Sequence, residues 1–149
     1  MQPSSAPSGG AAQLPGAEPG AVAPLPLPGI GEQVVYDINL HDPQRLLTLL
    51  RRLDALQGAP APAGRRPVIA IVLHGPELLH FTRSRYAQNR ELVDLAARLD
   101  AFGVVEVKAC LTRMRALGLR REDLPAFIDF VPYGPDEVRR LEERGYRVM

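Results

Sequence analysis

The run "PVIAIVLH" (Pro67–His74) limits the possible folds more than any other part of the chain. Aliphatic residues without polar alternation suit a strand covered on both faces, the situation of a central strand in a parallel sheet. The rest of the sequence supplies the neighbours and covering layers that such a strand needs. "QVVYDI" (Gln33–Ile38) reads as a first strand. "HDPQRLLTLLRRLDALQ" follows as a helix, with Asp42 as N-cap and Pro43 at the first helical position. Leu46, Leu47, Leu50 and Leu53 then fall on one face.

The Ala- and Pro-rich stretch from Gly58 to Arg66 reads as a loop. Beyond the central run, "NRELVDLAARLDAFG" predicts a second helix closing at Gly103. "VVEVKA" predicts a third strand, and "CLTRMRALG" a third helix ending at Gly118. "FIDFVP" (Phe127–Pro132) is a fourth strand. "PDEVRRLEERG" is a helix with Pro135 near its start and Gly145 past its end, and "YRVM" is a short final strand. This alternation predicts an α/β fold whose five-stranded, mainly parallel sheet carries helices on both faces. No internal repeat is visible.

From Met1 to about Glu32 the chain is mostly Pro, Gly, Ala and Ser, ending in "APLPLPGIGE". So little apolar side chain does not offset the entropy of ordering, and residues 1–32 read as a disordered tail. The alternative is a binding role for the Pro-Leu alternation. Residues 33–149 form the folded domain, large enough for one core. Lys+Arg 18 against Asp+Glu 17 leaves a net charge of +1, without the basic excess of a dedicated nucleic-acid binder. No apolar run approaches the length of a membrane span, and the N-terminus lacks a signal-peptide pattern. A cytoplasmic location is expected, or a periplasmic one if an export signal was removed before residue 1.

In open parallel α/β sheets, ligands collect at the carboxyl ends of the strands, where the following helices begin. Three segments end there with polar or reactive groups: "LHGPELLH", "KAC" and "VPYGPDE". His74, Cys110 and Tyr133 are therefore expected on one rim. Cys110, the chain's single cysteine, sits where the third strand hands over to the third helix. Unpaired N–H groups at a helix start favour a thiolate, the nucleophilic form, and Lys108 and Arg113 are close in sequence. The competing reading is a buried cysteine acting as a small hydrophobe. His74 likewise reads as a ligand or base, or as a residue that satisfies a backbone group at a strand end. Gly75 allows a tight turn, and Pro76 with Glu77 suits the start of a helical turn.

His41 and His80 read as surface or loop residues, so three scattered histidines make no metal site. "GIGEQ" precedes a strand and fails as a phosphate loop, no nucleophile elbow or His-Glu-x-x-His motif is present, and no cofactor is expected. The Arg pairs at 51–52, 65–66, 120–121 and 139–140 read as solvated.

The assembled segments resemble the DsrE/DsrF-like (YchN-like) family from about Val34 to Val148. The likeness rests on the order of four features: "IAIVLHGPELLHF" with its strand ending in His-Gly, "FGVVEVKAC", "LGLRREDL", and the closing "RGYRVM". It implies a three-layer α/β/α sandwich, association as a homotrimer or homohexamer, and sulfur relay in partnership with donor and acceptor proteins. In that family, some members carry sulfane sulfur as a persulfide on a cysteine after the third strand. Cys110 holds the matching position. His74 matches the family's His-Gly, and Asn89 a polar position in the following segment. Gly75, Asn89, Tyr133 and Gly134 are the expected ligand-pocket residues. The alternative is a non-catalytic oligomeric module that binds a small ligand or partner segment.

Overall fold

The computed structural model describes residues 23–29, 31–57 and 68–149. Five strands, β1 (Gln33–Ile38), β2 (Val68–Leu73), β3 (Val105–Cys110), β4 (Asp129–Val131) and β5 (Arg147–Val148), form one sheet. Their order is β4-β3-β2-β1-β5 and every pairing is parallel. They alternate with α1 (Gln44–Gln57), α2 (Arg90–Ala101), α3 (Leu111–Ala116) and α4 (Gly134–Glu143). The protein has the expected α/β fold, and its sheet is parallel throughout. The continuous apolar run becomes β2, with both neighbours in place and five of its six residues buried.

Handedness explains the layers. The steps from β1 through β4 all move the same way across the sheet, so right-handed crossovers put α1, α2 and α3 on one face. The return from β4 to β5 runs the other way, so α4 covers the opposite face. The packing agrees. Val34, Tyr36, Ile38, Ile69, Ile71, Leu73, Val105, Val107 and Ala109 join α1 and α2 in the main core. Val35, Ala70 and Val72 pack with Val138 and Leu141 of α4 in a much smaller cluster.

Local signals act where the sequence places them. The Asp42 carboxylate accepts from the Gln44 N–H at 2.9 Å and starts α1, and Leu46, Leu47, Leu50 and Leu53 are all buried. Gly103, Gly118 and Gly145 have φ of 73°, 74° and 98°, the left-handed geometry that ends α2, α3 and α4.

Two expectations are corrected. β4 is shorter than Phe127–Pro132, because the Ile128 N–H turns back to the Pro125 carbonyl at 3.2 Å and delays the ladder until Asp129. The helical turn expected at Pro76 and Glu77 is present, as the first of two 3-10 helices, Pro76–Phe81 and Arg83–Gln88. Residues 23–29, assigned to the tail, lie against the domain, with Leu25 and Leu27 on the main core. Ordered packing therefore begins about ten residues before the expected boundary. Residues 1–22 of that tail, and the loop from Gly58 to Arg66, lie outside the described residues.

Candidate functional site

Strand alternation decides which side chains meet. In β3, Val105, Val107 and Ala109 face the main core, so Glu106, Lys108 and Cys110 face α4. Leu73 pairs with Ala109, so the next step along each strand brings His74 alongside Cys110. The N-terminus of α4 lies over both. A Cβ added to Gly134 would sit 2.7 Å from the His74 Cβ and 3.3 Å from the Cys110 Cβ. Only a residue without a side chain lets α4 begin so close to them. His74, Cys110 and Gly134 thus form one cluster at the carboxyl edge, with the half-exposed Tyr133 ring beside it as the residue before α4.

Cys110 ends β3 and caps α3, its sulfur accepting the Arg113 backbone N–H at 3.4 Å. The cap leaves the thiol covered, with only 1% of the residue exposed. The neighbouring cations have other partners. Lys108 shares the Cys110 face, but its ammonium is 2.6 Å from the Glu137 carboxylate. The Arg113 guanidinium donates to the His74 carbonyl at 3.0 Å and ties α3 to the end of β2.

The His74 ring is held by Asp37 of β1, with Nε2 against Oδ1. When Nε2 donates to that carboxylate, the neutral ring keeps its free lone pair on Nδ1. Asp37 carries no motif that marks it in the sequence. Its signal is position, as a polar residue near the carboxyl end of an apolar strand. Arg140 first, and Lys108 after it, hold the Glu137 carboxyl below the usual carboxylate range. The pair fastens α4 to β3 beneath the cluster.

Gly75 occupies a crossing point of two loops. An added Cβ would collide with the Asn39 Oδ1 and sit 2.6 Å from the Asn39 Cα. Glu77, fully buried, bridges those loops by accepting the Leu40 N–H at 2.9 Å and the Gly75 N–H at 2.8 Å. Burial raises its pKa, and the backbone donors oppose that rise. Sequence reading placed Glu77 only at a helix start. Its bridging role depends on Leu40, which is 37 residues away.

Asn89 lies elsewhere. It stands at the start of α2 without a side-chain capping bond, donates to the Arg85 carbonyl at 3.0 Å, and lines a recess of about 170 Å³ with Pro43, Gln44 and Leu47 on the α1–α2 side. It shares no hydrogen bond with His74 or Cys110. His80 is half-buried on the first 3-10 helix, and His41 is exposed. Among the described residues, no group of three or more His, Cys, Asp or Glu is placed to hold a metal ion. Nor is any helix among them long and apolar enough to cross a membrane.

No protein-family model matches the chain, and no curated protein matches it. Among solved structures, the fold is similar to that of MTH1491, a protein of unknown function from Methanobacterium thermoautotrophicum. The TM-score is 0.62 at 23% identity, over 79% of this chain and 97% of that one. A likeness at that identity bears on the shared fold alone.

Proposed function

We propose that the chain is a sulfur carrier that holds sulfane sulfur as a persulfide on Cys110. The observation that carries this reading is the meeting of the chain's single thiol with the His74–Asp37 pair under Gly134, at the carboxyl edge of a parallel sheet. The Cys110 thiolate attacks the outer sulfur of a donor persulfide. A new S–S bond forms, the donor's S–S bond breaks, and the donor leaves as a thiolate. An acceptor thiolate then attacks the outer sulfur of Cys–S–SH and restores the Cys110 thiolate. No second cysteine in the chain and no external oxidant are needed. In this scheme His74, oriented by Asp37, takes the Cys110 thiol proton on Nδ1 and the imidazolium so formed faces the anion, while the Arg113 N–H fixes the sulfur. The covered thiol requires the Tyr133–Gly134 turn to move before a donor can reach it.

The low exposure of Cys110 favours a second reading, a non-catalytic module that binds a small ligand or a partner segment, with the thiol as packing. The test is mass spectrometry after incubation with a small-molecule persulfide donor. A carrier gains one sulfur on Cys110, and the gain disappears in Cys110→Ser. Loading that persists in Cys110→Ser, or none in the native protein, ends the carrier reading. Alkylation by iodoacetamide separates the two independently. A packing thiol reacts only as fast as the protein unfolds globally, whereas a gated one reacts faster.

The carrier reading also takes the protein as a homotrimer or homohexamer. Light scattering that finds only monomer at micromolar concentration removes that part.

A further inference from the structure

The segment Ala23–Gly29, "APLPLPG", lies extended along α1 without secondary structure of its own. An extended chain of alternating prolines has few N–H groups and many unpaired carbonyls, so any surface that holds it must supply donors. The flank of α1 beside β1 does so three times. Arg45 donates to the Ala23 carbonyl at 3.0 Å, Arg52 to the Leu25 carbonyl at 2.7 Å, and the Tyr36 hydroxyl to the Pro26 carbonyl at 2.5 Å. Arg45 and Arg52 are seven residues apart, two turns along one side of α1. Leu25 and Leu27, both partly buried, pack against the main core.

Tyr36 shows that the arrangement is built into the fold. It is fully buried, and burial pushes its hydroxyl pKa up to about 12. A hydroxyl so placed needs a partner, and the Pro26 carbonyl is the one it has.

We propose that the flank of α1 beside β1 is a recognition groove for an extended proline–leucine segment read through its carbonyls, with residues 23–29 of the same chain as its resident ligand. This is the physics of polyproline recognition, in which a preformed extended peptide meets an aromatic hydroxyl and side-chain donors. Donors that read only carbonyls do not distinguish a tethered segment from a free one. A free peptide of the same sequence therefore competes with the resident segment, at a disadvantage set by the high effective concentration of the tethered copy.

The test uses the full chain carrying Leu25→Asp and Leu27→Asp, which empties the groove, and a fluorescent peptide with the sequence of residues 23–29. The emptied protein binds the peptide at least about tenfold more tightly than the native protein does. Adding Tyr36→Phe weakens that binding about fivefold through the lost hydrogen bond. No saturable binding to an emptied protein with native circular dichroism overturns the proposal. Equal binding by the native and emptied proteins, or no effect of Tyr36→Phe, does the same.

Nuclear Overhauser contacts in the native protein decide between these outcomes even if the emptied protein fails to fold. Contacts between the Tyr36 ring and Pro26 or Leu27 protons support the groove, and their absence overturns it. Contacts seen only between differently labelled copies place a second chain's segment in the groove and overturn the resident assignment.

Discussion

The two faces of the sheet are built from adjacent residues of the same strands, yet they differ in kind. The face under α1 and α2 is a broad hydrocarbon core, in which alternate residues of β1, β2 and β3 meet leucines from both helices. The face under α4 has three small strand residues, Val35, Ala70 and Val72, against Val138 and Leu141. It also carries Asp37, Lys108, Cys110 and Glu137, and His74 joins them at the carboxyl edge. The division of labour is physical. A broad apolar layer supplies stability with few polar groups to satisfy, whereas a thin layer near solvent accommodates charge at lower desolvation cost. Chemistry therefore sits on the face that contributes less to holding the fold together.

The largest expected effect tests the broad face. Leu53→Ala, at a position with no exposure, costs about 3 kcal/mol in urea denaturation through lost burial and the cavity left behind. A loss below about 1 kcal/mol would mean that the two faces do not differ as described.

On the thin face, Lys108→Met costs about 2 kcal/mol, less than removal of a buried partner usually does, because Arg140 still pairs with Glu137. If the pair fastens α4 over the cluster, the same variant alkylates faster at Cys110 under native conditions. An unchanged rate would separate the ion pair from the cover.

Gly134→Ala comes next, at about 1–2 kcal/mol, because the new methyl must displace His74. Its sharper readout is again the Cys110 alkylation rate, which rises if the start of α4 is the cover.

Acid sensitivity should be smaller and should divide by residue. The folded-state pKa of Glu137 lies below the ordinary value of 4.5, so folding favours its ionised form. That stabilisation is complete above pH 4.5 and is lost as pH falls through the lower folded value. Glu77 acts in the opposite sense. Burial raises its folded pKa, so its contribution is present below the ordinary value and is lost as pH rises through the folded one. Stability measured from about pH 6 to about pH 3 should therefore fall less steeply in Glu137→Gln than in the native protein. Equal slopes would remove Glu137 from the account.

The smallest effect belongs to Glu32→Gln. Arg147 holds the Glu32 carboxyl down to about 2, yet the pair is solvated, and its loss should not be resolved from native stability.

Much of the fold was legible because its signals are local. The N-cap at Asp42 and the glycines after α2, α3 and α4 act within one turn, and the apolar run of β2 states its own burial. The cluster of His74, Cys110 and Gly134 was legible only as three strand or helix ends that a parallel sheet brings to one rim. Asp37, Glu77 and Glu137 were not legible as partners. Glu137 meets Lys108 across 29 residues, and neither residue type marks the other in the sequence. Asn89, expected in the ligand pocket, stands at the start of a helix on the other side of the sheet because the two 3-10 helices carry the chain there before α2 begins.

The amino-acid sequence by itself determined which segments become strands and helices, and that the strands run parallel, because periodicity and caps act over a few residues. Only the tertiary structure decided which polar groups pair, how deeply the thiol is covered, and that a proline–leucine segment belongs to the domain. Those outcomes depend on crossover handedness and strand register, which join residues far apart in the chain.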